Sequence, residues 1–161
     1  MNLQTKSNQK GFTIVELLIV IVVIGILAAI TLVAYNGIQN RAKASQYKSD
    51  ASNIAKVAEA VNAKESGTGY PTATADFAGA DAKLPSNVAV TVIGSTDTYT
   101  PSSTNGPAIN SSTGVKTYTV RSCGATGATA GVIVYYWDPA AASGSNSKTV
   151  TAGSPTSATA C

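Results

Sequence analysis

From Phe12 to Ala34 the chain reads FTIVELLIVIVVIGILAAITLVA, an apolar run broken by one acid, Glu16. Nothing else in the sequence restricts the fold as strongly. A helix of this length spans about 34 Å, enough for a bilayer core, and a helix is the form in which an isolated segment satisfies its own backbone in lipid. The preceding MNLQTKSNQKG is polar and carries Lys6 and Lys10, while Arg41 and Lys43 come after the run. Basic residues on both flanks give only a weak preference for a cytoplasmic N-terminus. No comparable apolar run occurs elsewhere in the 161 residues, so a soluble core must come from the residues beyond Ala34.

A cleaved secretory signal is the simplest alternative, with Ala28-Ala29 as small residues after the apolar stretch. Two features oppose it. Glu16 stands near the start of the run, where a carboxylate in lipid costs several kcal/mol unless it is paired or close to the interface. Apolar character also resumes beyond Ala29 and passes into helix-compatible sequence without a break. The segment is built to stay attached.

Lys10-Gly11-Phe12-Thr13-Ile14-Val15-Glu16-Leu17-Leu18-Ile19-Val20, followed by Ile24-Gly25-Ile26-Leu27-Ala28-Ala29-Ile30, resembles the class III signal of type IV prepilins and type II secretion pseudopilins. The resemblance implies a leader at residues 1–11, cutting by prepilin peptidase between Gly11 and Phe12, and N-methylation of the new Phe12 amine. Glu16 is then the fifth residue of the processed chain, the family's assembly glutamate, which pairs with the terminal amine of a neighbouring subunit. A carboxylate in lipid is tolerable beside such a cation. Residues 12–34 are expected to serve as anchor and then as polymerisation helix. Gly25 lowers helix stability by roughly 1 kcal/mol relative to Ala and allows either close packing or local unwinding. Val33 stands where relatives commonly carry a proline, which leaves open whether a kink or melted stretch occurs between Gly25 and Val33.

Residues 35–66 contain no proline and are rich in Ala, Lys and Glu, which predicts continuation of the same helix as an amphipathic half. Ile54, Val57, Ala58 and Val61 fall at i, i+3, i+4 and i+7 and form the expected head-facing stripe. Arg41, Lys43, Lys48 and Asp50 read as a face toward solvent or neighbours. Two glycines and Pro71 in Ser66-Gly67-Thr68-Gly69-Tyr70-Pro71 stop the helix. Beyond it, residues 67–161 form the head. Val88–Ile93 and Lys116–Arg121 alternate as half-buried strands, and Val132–Trp137, apolar on both faces, reads as the central strand. The stretches from Pro101 to Thr113 and Pro139 to Cys161 read as loops. The expected fold class is α+β: a long N-terminal helix packed on a small antiparallel sheet, the pilin fold of the family it resembles.

Charged residues make up 12% of the chain, and the formal net charge of +3 includes Lys6 and Lys10, so a polyanion-binding surface is not expected. Lys116 and Arg121 near Tyr118 are too few for a nucleic-acid track. There is no histidine, and the eight acids form no evident catalytic pair. No enzyme, cofactor or metal is implied. After Asp138 the chain has no Asp or Glu, which disfavours the C-terminal calcium site common in major pseudopilins. Cys123 and Cys161 lack a CxxC spacing, leaving a disulfide or two free thiols. A Cys123–Cys161 disulfide would resemble the bond with which many pilins staple a C-terminal loop, and requires an oxidising, extracytoplasmic location.

The expected function is that of a structural subunit of a type IV pilus-like filament serving attachment, adhesion or motility. Its expected partners are further copies of itself, prepilin peptidase, the inner membrane, and the assembly platform and ATPase. A secretion pseudopilin or a competence pilin is the nearest alternative.

Overall fold

The structure is a computed structural model that describes residues 11–64, 69–79, 83–97, 99, 107–109, 111–124, 130–142 and 146–155. The chain divides into two compact units, Met1–Ile38 and Gln39–Cys161. Helix α1, Ile14–Lys64, contributes residues 14–38 to the first and 39–64 to the second.

In the first unit α1 is unbroken through Gly25 and Val33. No helix-breaking residue is present there, and the polar Thr31 returns its hydroxyl to the Ala28 carbonyl at 3.0 Å. Gly25 has open space where a Cβ would stand. Within the protomer, then, neither unwinding nor close packing accounts for this glycine.

The second unit is a helix-on-sheet layer. Strands β1 (Val88–Ile93), β2 (Ala108–Ile109), β3 (Lys116–Ser122), β4 (Gly131–Trp137) and β5 (Ser147–Gly153) form one sheet, with β1-β3-β4-β5 in line. Tyr47, Ala51, Ile54, Ala55 and Ala58 are the buried residues of α1. They meet Val88, Val90, Tyr118, Val120, Val132, Val134 and Ala152 from one face of the sheet, with Phe77 of a short 3-10 helix, Thr74–Ala78, closing the side. The observed stripe is displaced from the expected one. Ile54 and Ala58 belong to it and Val57 packs at its margin, but Val61 is not part of the core. Ala51, Ala55 and Ala58 lie in this seam, and complete burial of Ile54 contributes about 2 kcal/mol.

The sheet is mixed, not purely antiparallel as expected. β1 pairs with β3 in parallel, Val90 opposite Tyr118, whereas β3–β4 and β4–β5 are antiparallel. A parallel pair needs a crossover rather than a hairpin. Of the chain between β1 and β3, Tyr99 stacks on Tyr135, and β2 pairs antiparallel with the start of β3.

Two segments read as loops contain strands. β2 is the smaller case. β5 lies in the C-terminal stretch and pairs with β4 along its whole length, from Gly131 opposite Gly153 to Trp137 opposite Ser147. Its Ser, Thr and Lys residues give little apolar alternation, so its strand character comes from covering the open edge of β4.

Candidate functional site at the start of the helix

Gly11, Phe12 and Thr13 lie ahead of the first helical residue, Ile14, and all are exposed. A helix start leaves backbone N–H groups without intrahelical partners. Here Thr13 and Glu16 form a reciprocal cap. The Thr13 hydroxyl accepts from the Glu16 amide at 3.2 Å, and the Glu16 carboxylate accepts from the Thr13 amide at 2.8 Å and its hydroxyl at 2.7 Å. This is the Thr-x-x-Glu capping box, worth on the order of 1 kcal/mol to a helix end. The sequence signal for it is the Thr13–Glu16 spacing, which reading Glu16 only as an acid in lipid leaves unused.

Beyond the cap, Ile14, Leu17, Leu18, Ile21, Ile24, Leu27, Ile30 and Val33 are all more than half exposed. The segment is long and apolar enough to cross a membrane, and none of its most apolar stretch is buried in the protomer. Such a surface requires lipid or other apolar helices.

Cys123, just past the end of β3, is buried and is not a free thiol. Cys161, its expected partner, lies outside the described residues.

In the head, Asp50 departs from expectation. Its carboxylate accepts from Lys116 Nζ at 2.6 Å and from the Tyr118 hydroxyl at 2.8 Å, tying α1 to β3. Burial, reinforced by the Asp50 carboxylate, pushes the Tyr118 phenol far above its ordinary value of 10.0. Lys116 is only 6% exposed. A charge at position 50 read as solvated is thus a partly buried partner, because Lys116 and Tyr118 project from the helix-facing side of β3.

The prokaryotic N-terminal methylation motif matches residues 6–32. The match takes in Gly11, Phe12, the Thr13–Glu16 cap and the apolar turns of α1 up to residue 32. Among curated proteins, the type IV major fimbrial protein FimA of Dichelobacter nodosus is 54% identical over 41 residues, covering 26% of this chain and 26% of FimA. A fimbrial protein of the same organism matches equally, and FimA of strain VCS1703A is 54% identical over 41 residues covering 25% of its length. The match spans about a quarter of the length of these relatives. No solved structure matches the chain. The N-terminal segment is similar to that of these type IV fimbrial proteins, and the α+β fold, with one long N-terminal helix and a helix-packed sheet, is consistent with that likeness.

Proposed function

We propose that this chain is a structural subunit of a type IV pilus-like filament. In this reading residues 1–11 are the leader and a prepilin peptidase cuts between Gly11 and Phe12. The Phe12 amine is methylated, and an inner-membrane platform with its ATPase adds the subunit to the filament through residues 12–34. The filament serves surface attachment or twitching motility, and the head has no catalytic task. One observation carries the proposal: an exposed apolar helix with a single carboxylate in its first turn. Gly11 and Phe12 are exposed immediately before that helix, as a peptidase requires.

The capping box adds a step. In the protomer Glu16 is held by Thr13 of its own chain, so the carboxylate enters lipid already hydrogen-bonded. On assembly it is shared with, or transferred to, a neighbour's Phe12 amine, a charge-assisted pair favoured where water is absent.

Mass spectrometry of sheared surface filaments tests the reading. The abundant species should begin with methylated Phe12; an uncut N-terminus, or absence from the filament fraction, would overturn it. Glu16→Ala should be cut normally yet lower filament yield at least tenfold. Unchanged yield would remove Glu16 from assembly.

A further inference from the structure

We infer that the sheet face turned away from α1 carries a binding site for an acidic saccharide unit, with Arg121 taking its carboxylate. The site belongs to the head alone and does not depend on filament assembly.

Register assigns the faces. Tyr118, Val120 and Val134 point to the helix, so Arg121, Ile133, Tyr135 and Thr149 project from the other side. Arg121 lies between Ile93 on β1 and Ile133 on β4 and is only 8% exposed. A buried guanidinium ordinarily has a carboxylate beside it, because desolvation of the charge otherwise goes uncompensated. Arg121 has no ion pair among the described residues. Its Nη1 reaches the Ser95 carbonyl at 3.5 Å, and its guanidinium lies 5.8 Å from the centre of the Tyr135 ring. Its Nε has no hydrogen-bond partner among the described residues. The Tyr135 hydroxyl is a further hydrogen-bond partner of the guanidinium, but among the described residues no carboxylate offsets its charge, which suits the cavity it lines to an oxyanion.

There is space for one. A cavity of about 490 Å³ is lined by Arg121, Tyr99, Tyr135, Ser147, Lys148 and Thr149, among others. Tyr99 and Tyr135 stack with ring centres 4.0 Å apart and also line a neighbouring cavity of about 240 Å³, whose wall includes Thr91, Thr117 and Thr119. The cavities therefore set one buried guanidinium and the Lys148 side chain among tyrosine rings and hydroxyls. Hydroxyls both donate and accept, as sugar hydroxyls do, and aromatic rings receive the apolar face of a pyranose. A nucleic-acid strand would need cations repeated along a track, and this cavity has two, Arg121 and Lys148.

The test uses the full-length chain in detergent micelles, with a short oligogalacturonate as probe. Maltooligosaccharide of equal length, inorganic phosphate and single-stranded DNA are the comparisons. Calorimetry, with Trp137 fluorescence as a second readout, should show saturable binding of the oligogalacturonate alone. Arg121→Gln should weaken it at least tenfold and Thr149→Val several-fold. If Arg121→Gln loses its near-ultraviolet circular dichroism, Thr149→Val and Tyr99→Ala decide the matter in its place. The site is refuted if oligogalacturonate does not bind, if phosphate, DNA or the neutral sugar binds as well, or if the folded variants bind like the parent.

Discussion

A single carboxylate can have its surroundings supplied in two ways, and both occur here. Glu16, on an exposed helix, draws its partners from one turn of its own chain. Asp50 draws its partners from residues more than sixty positions away. Removing Asp50 leaves Lys116 buried without its anion, a loss that costs about 3 kcal/mol or more in such settings. Asp50→Ala is therefore expected to lower the denaturant midpoint of the head sharply. Asp50→Asn should lower it less, since an amide oxygen still accepts from Tyr118. Equal, negligible shifts in both variants would show that the pair contributes nothing net.

Among elements, the attachment of β5 is the least evident from composition and the most tightly specified in space. Gly153 has φ +77, and a Cβ there would lie 2.5 Å from the Ala130 carbonyl oxygen and 2.7 Å from the Tyr70 ring. Its amide donates to Glu59 Oε1 at 2.7 Å, while Glu59 Oε2 accepts from the Tyr70 hydroxyl at 2.8 Å. One helix carboxylate thus clamps both the start of the segment after α1 and the end of β5. Gly153→Ala combines a positive φ with a clash against backbone, so a destabilisation of about 2 kcal/mol or more is expected, with amide exchange accelerated first in β5. Protection factors in β5 that match the parent would refute the clamp.

For the molecule as a whole, the raised tyrosines contribute to how stability falls at alkaline pH. Burial raises Tyr118, Tyr99 and Tyr135, with Asp50 adding to the effect at Tyr118 and Arg121 opposing it at Tyr135. A phenol whose folded value lies above its unfolded value of 10.0 holds its proton more tightly in the native state. The stability it contributes is complete below pH 10 and is lost progressively as pH rises above that value. Urea midpoints should be flat with respect to these groups up to about pH 9.5 and fall beyond it. Tyr118→Phe should make that fall shallower while lowering the midpoint at neutral pH. An unchanged alkaline slope in the variant would exclude Tyr118 as a contributor.

The apolar run from Phe12, the methylation motif, the long helix and three of the strands come from local pattern, because a lipid-compatible helix and alternating strands are written in nearest-neighbour chemistry. Glu16 belongs to that legible part, and so does its cap with Thr13, which needs only three residues of spacing. The rest needed the tertiary structure. That β1 runs parallel to β3 is a pairing between distant segments that neither strand's own alternation specifies. β5 is a strand because β4 presents an edge to it. Asp50 is a partly buried partner because the sheet brings Lys116 and Tyr118 to the helix, and Arg121 lies buried on the opposite face because register turns it away from that core. These are pairings between distant positions, and their free energy exists only once the chain has brought them together.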